Sequence, residues 1–133
     1  MNTQETEYNI NGATVLIVDD EELMREVSEI MITDNGGKVF TAIDGQDAIE
    51  VFDRHRDEID VVFIDFSMPR KNGYEAVVAI REMKPEVAVI MVSGLMVSKD
   101  VSELIKKGEI LFLSKPFHEV ELLESIQKLL GKA

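Results

Sequence analysis

Asp65 closes the apolar run Val61-Val62-Phe63-Ile64 and opens a loop, residues 66–73, that is punctuated by Pro69 and Gly73. A short apolar run bounded by turn residues reads as a strand buried on both faces, as in a parallel sheet. Its last side chain then sits at the carboxyl edge, where open α/β sheets bind their ligands. Taken alone, Asp65 is also what a simple turn after a strand would carry. Three further runs end the same way. Val15-Leu16-Ile17-Val18 runs into Asp19-Asp20-Glu21, Val87 to Val92 reaches the hydroxyl of Ser93 and then Gly94, and Ile110 to Leu113 leads through Ser114 to Lys115-Pro116-Phe117. Carboxylates, a hydroxyl and an ammonium gathered at one sheet edge make a site. Crowded carboxylates raise one another's pKa unless a cation neutralises them. With oxygen ligands and no Cys or His nearby, the hard Mg²⁺ ion is preferred over zinc, held by carboxylates, waters and a phosphate. Lys115 supplies a mobile positive charge and Ser93 a donor for the oxygens of a transferring phosphoryl group. Asp65 is then the nucleophile, giving an aspartyl-phosphate.

The elements that must position these groups alternate along the chain. After the first strand, Leu23, Val27, Ile30 and Met31 recur at helical spacing until Asn35-Gly36-Gly37 stops the helix. Lys38 to Ala42 alternates polar and apolar residues, as a half-exposed edge strand does. Asp44-Gly45 turns into a second helix with Ala48, Ile49 and Phe52 on one face, and Ala76, Val77 and Ile80 mark a third that Pro85 ends. Val101, Leu104 and Ile105 mark a fourth, stopped by Gly108, and Val120, Leu123, Ile126 and Leu130 a fifth, closed by Gly131. Five β-α units with short links predict a doubly wound α/β fold, a five-stranded parallel sheet covered by helices on both faces with right-handed crossovers. With the edge-like second strand outside the first, the order is 2-1-3-4-5. The switch point then falls between the strands that end in Asp19-Asp20 and Asp65.

The chain of 133 residues, 45% hydrophobic, predicts one domain with a sizeable core. Residues 1–12 are polar, without the basic and apolar regions of a signal peptide, and read as a loose tail before a domain over 13–133. No run approaches the roughly 18 to 20 apolar residues of a bilayer span. Zero cysteines exclude disulfides and thiolate metal sites and fit a cytoplasmic location. With 26 acids against 14 bases the net charge is −12, so nucleic acid or an anionic membrane surface would repel the domain. Part of that charge, Glu21, Glu22, Glu26 and Glu29, reads as ordinary solvated helix surface with no special role.

The segments VLIVDDE, DFSMPRKNG, VIMVSG and FLSKPF, in that order and spacing, resemble the motifs of receiver domains, the phospho-accepting modules of two-component response regulators. The resemblance runs from Thr14 to about Leu130 and brings with it the flavodoxin-like strand order derived above. It implies that Asp65 is the phosphorylation site, that Asp19 and Asp20 with Asp65 hold Mg²⁺, and that Ser67 is a further ligand through its backbone carbonyl. It also implies Ser93 as the switch hydroxyl, Lys115 as the phosphate-contacting lysine before a cis Pro116, and Phe112 as the switch aromatic. The departures from the family pattern are small. Ser93 stands where Thr is commoner. Phe112 stands where many members have Tyr, and Ile110 and Leu111 stand where polar residues are usual, so this run is either a partner surface or a strand that starts early. The resemblance also implies that Leu95 and Ser67 flank the path of an attacking water, where an apolar Leu95 predicts slow self-dephosphorylation, the alternative being a Leu95 that points into the fourth helix without influence.

The function predicted is a non-enzymatic signalling receiver, which takes a phosphoryl group from a sensor histidine kinase or histidine phosphotransfer protein and switches conformation to control a partner. A Mg²⁺-dependent phosphohydrolase would want an acid two residues after the nucleophile, where Ser67 stands. An unphosphorylated receiver-like interaction module would lack an acid or the lysine, and all are present. His55 and His118 read as solvated surface, and Met31 and Met91 as core. Kinase, signal and output are not legible in the residues.

Overall fold

The computed structural model describes residues 10–66, 73–93 and 110–131. The strands are β1 (Thr14–Val18), β2 (Lys38–Ala42), β3 (Val61–Asp65), β4 (Ala88–Ser93) and β5 (Ile110–Ser114). Between and after them lie α1 (Glu22–Thr33), α2 (Gly45–His55), α3 (Gly73–Met83) and a C-terminal helix (Glu119–Leu129). The strands form one sheet in the order β2-β1-β3-β4-β5, every neighbouring pair parallel. This is the doubly wound order predicted. Four helices stand among the described residues against five predicted, because the helix expected around Val101, Leu104 and Ile105 lies outside them, as do Ser67 and Leu95.

Strands β1 and β3 are buried along their whole length, while the edge strand β2 is exposed or half-buried until Ala42. Successive side chains of a strand point to opposite faces, and the unbroken apolar runs therefore fill two cores. Leu16, Val18, Val62, Ile64 and Met91 pack on one face with Phe52 of α2 and Val77 and Ile80 of α3. Val15, Ile17, Val61, Phe63 and Ile90 pack on the other with Ile32 of α1 and Leu122 and Ile126 of the C-terminal helix. Each fully buried side chain of this size contributes about 1.5–3 kcal/mol.

The helix boundaries follow the signals in the residues. Asp44 caps α2 by accepting the Asp47 amide at 2.8 Å. Gly36, at φ +94°, takes the left-handed conformation that ends α1, and the Gly37 amide donates to the Ile32 carbonyl at 3.0 Å.

The helix faces needed correction. Leu23 and Ile30 are 68% and 57% exposed, and α1 instead buries Ser28 and Ile32. Apolar residues cover more than half of this helix, opposite a face of Glu22, Arg25, Glu26 and Glu29, so more than one stripe is compatible with burial, and a serine on the true inner face hid it. Val120 is 49% exposed for a similar reason, since the C-terminal helix buries Leu122 beside the predicted Leu123 and Ile126. Ile10, assigned to the tail, is fully buried among Ala13, Val15 and Ile32, so packing begins before residue 13. The strand beginning at Ile110 settles that residue as core, paired with Val89.

Candidate functional site

Register sets the site. Val18 pairs with Ile64, so the next residues, Asp19 and Asp65, emerge side by side at the carboxyl edge. The ladder continues past the strand ends: the Asp19 amide donates to the Ala42 carbonyl at 3.2 Å, Phe66 to Val92 at 2.9 Å, and Lys115 to Ser93 at 3.1 Å. Each residue of interest therefore leaves a backbone that is already hydrogen-bonded. Asp65, 2% exposed, lies beneath the crevice with buried Asp19 and Ser93, while Asp20 reaches in from solvent. Carboxylate oxygens of Asp19, Asp20 and Asp65 lie within 4.8 Å of one another. The Lys115 ammonium donates to Asp65 Oδ2 at 2.9 Å. The Lys115–Pro116 bond is cis, as the resemblance implies. Phe117 then meets Phe63 edge to face, ring centroids 5.6 Å apart, which anchors the loop that carries the lysine.

Two contributors were not legible in the sequence. Glu21 donates its amide to Asp19 Oδ1 at 2.9 Å, and its carboxylate acts on Lys115, so it is more than solvated surface. Arg25 Nη1 donates to the Asp19 carbonyl at 2.8 Å. Gly73 opens α3 directly against Phe66, where a Cβ would stand 2.3 Å from the ring. Only glycine lets the start of α3 approach the Phe66 ring this closely. Phe112 is half-buried against the first core and, with Leu111 and Leu113, lines a groove of about 300 Å³ walled by Glu121, Glu124 and Lys128. His55 stacks on Phe40 at 4.0 Å, and neither histidine joins the acidic group.

Burial is the main influence raising the Asp19 pKa above the usual carboxylate value, and the charges of Asp65 and Asp20 add to it. The Glu21 amide and Lys115 oppose the rise without cancelling it. Burial alone would lower the Lys115 pKa, but the hydrogen bond and charge of Asp65, joined by Asp19 and Glu21, outweigh it and the net direction is upward. A carboxyl whose folded pKa is raised binds its proton more tightly in the folded state. Its contribution to stability is fully present below the ordinary value of 3.8 and is lost as pH rises through the raised value. Asp19→Asn is therefore expected to raise the melting midpoint of the metal-free protein by a few degrees at neutral pH. The gain should shrink in acid below 3.8, and thermal melts across that range check it.

These residues fit a divalent cation. The donors are all oxygen, the carboxylates converge, and Asp19 carries an electrostatic cost that a cation relieves. Fold and crevice together define a doubly wound α/β module with an acidic, lysine-paired site at its topological switch point.

The profile of the response regulator receiver domain matches residues 15–127, and the chain belongs to that family. It is a chemotaxis-regulator-like, phospho-accepting receiver of two-component signalling. It is 34% identical to chemotaxis protein CheY of Thermotoga maritima over 88% of this chain and 97% of that protein. It is 33% identical to the autoinducer 1 sensor kinase/phosphatase LuxN of Vibrio harveyi over 66% of this chain and 10% of that one. Its fold superposes with TM-score 0.80 and 29% identity on the CheX-CheY-BeF3-Mg+2 complex from Borrelia burgdorferi, covering 89% of each chain. No described helix is long and apolar enough to cross a membrane.

Proposed function

We propose that Asp65 is the phosphoryl acceptor, that Asp19, Asp20 and Asp65 hold Mg²⁺, and that Ser93, Lys115 and Phe112 carry the response. The observation that supports this most is the Lys115 contact at 2.9 Å to a buried carboxylate that two further acids surround. An oxygen of Asp65 attacks phosphorus, a P–O bond forms, and the P–N bond to a donor imidazole breaks, leaving a neutral histidine on the donor once it holds a proton. When bound, the metal ion neutralises phosphoryl oxygens and the crowded carboxylates. Lys115 balances charge on the acyl phosphate that replaces the free carboxylate, and Ser93, at the next strand end, donates to a phosphoryl oxygen.

The donor is a histidine-bearing sensor kinase or phosphotransfer protein. Similarity to part of a sensor kinase/phosphatase supports that class. The chain acts as a cytoplasmic signalling receiver, catalysing only its own phosphorylation and a slow dephosphorylation. Its charge of −12 disfavours direct contact with nucleic acid or an anionic membrane.

Acetyl phosphate with Mg²⁺ is expected to add one phosphoryl group by intact mass, mapped to the peptide containing Asp65. No gain, or a gain mapped elsewhere, overturns the assignment. The new dianion also draws Ser93 inward and opens space for the Phe112 ring. NMR amide shifts should consequently reach Phe112 and the groove at β5. Shifts confined to the crevice would refute the switch.

A further inference from the structure

Arg25 is held at both ends. Its amide donates to the Glu21 carbonyl at 3.0 Å, inside the first turn of α1, while its guanidinium turns back to the Asp19 carbonyl at 2.8 Å. The Glu21 amide meanwhile holds Asp19 Oδ1 at 2.9 Å. One of these side-chain bonds grips the carboxylate of Asp19 and the other its main chain, so both the peptide and the side chain of this residue are oriented. Asp20 lies between Asp19 and Glu21 and is exposed, and among the described residues its side chain makes no hydrogen bond or ion pair that would fix its direction. Its approach to the crevice depends on the turn that Arg25 closes.

We infer that Arg25 is a positioning residue: by clamping the Asp19 carbonyl it sets the turn that presents Asp19 and Asp20, and so sets how tightly the crevice takes a divalent cation. The inference rests on the reading of that crevice as a Mg²⁺ site. Charge alone predicts the opposite sign. A guanidinium beside an acidic crevice repels an incoming cation, so its removal would tighten Mg²⁺ binding by Coulomb's law. Loss of positioning weakens binding instead, as removal of groups that orient metal ligands commonly does. The direction of the change therefore separates the two roles.

The test is a calorimetric titration of the full chain with Mg²⁺ alone, without a phosphodonor, alongside thermal melts in the absence of metal. Arg25→Met keeps the apolar stem and removes the donor, and it is expected to weaken Mg²⁺ about tenfold. Arg25→Lys supplies one donor to the same carbonyl and is expected to recover most of that loss, while saturating Mg²⁺ restores the phosphorylation rate of Arg25→Met toward wild type. Equal or tighter binding by Arg25→Met overturns the inference, and so does Arg25→Lys binding as weakly as Arg25→Met. If Arg25→Met melts lower yet binds Mg²⁺ like wild type, the residue is structural only and the inference fails. A wild type that takes up no Mg²⁺ overturns the metal reading itself and this inference with it, an outcome distinct from a failure of Arg25 alone.

Discussion

Asp65→Asn is expected to abolish phosphoryl incorporation from acetyl phosphate and Mg²⁺. An amide oxygen carries no full negative charge and is a far poorer nucleophile than a carboxylate, so the rate should fall by at least about a thousandfold. The fold should survive. Asn is nearly isosteric with Asp in a position only 2% exposed, and its oxygen can still accept the Lys115 hydrogen bond that the carboxylate takes at 2.9 Å. Replacing the charge also removes one of the repulsions that raise the Asp19 pKa. Lys115 loses the charge that does most to oppose its desolvation, but it is partly exposed and water can solvate it. Intact mass and a thermal melt together check the result. An unmodified, folded variant supports Asp65 as the acceptor, and wild-type mass gain by the variant would exclude it.

The second large effect concerns the metal. Asp20→Ala should weaken Mg²⁺ binding by about tenfold or more, close to 1.4 kcal/mol per factor of ten. Asp20 is exposed, so truncating it leaves no cavity, and the melting midpoint without metal should stay near wild type. Its removal lifts one repulsion from Asp19, but this is the smallest of the influences on that group, so loss of a ligand outweighs the relief. A cation that binds only the folded state stabilises it by about 2.7 kcal/mol at a hundred times its dissociation constant. The rise in melting midpoint on adding Mg²⁺ should therefore largely vanish in Asp20→Ala at a concentration that stabilises wild type. Calorimetric titration gives the affinity directly. An unchanged titration would remove Asp20 from the metal site.

By itself the sequence determined the sheet and the groups at its edge. Apolar runs ending at Asp19, Asp65 and Ser93 could be read because a parallel strand buried on both faces has to be apolar throughout, and the first polar residue marks its exit; the run before Ser114 and Lys115 is as apolar although β5 is a half-buried edge. The alternating Lys38 to Ala42 strand could be placed at an edge for the same reason, and that placement together with right-handed β-α crossovers yields the order β2-β1-β3-β4-β5. Helix faces were less legible. On α1 the apolar residues form a broad face, and which of them is buried depends on how the helix lies against Val15 and Ile17, a matter of packing between distant segments. Ile10 likewise gains its burial only from the pocket the assembled fold offers. The positioning contacts were invisible for another reason. Arg25 donates to a main-chain carbonyl and Glu21 acts partly through its amide, and backbone groups are the same at every residue, so side-chain chemistry gives no sign of them. The need for glycine at residue 73 arises only where the Phe66 ring comes to rest. Residue types named the chemistry of the crevice, and the three-dimensional path of the backbone decided how its carboxylates are aimed.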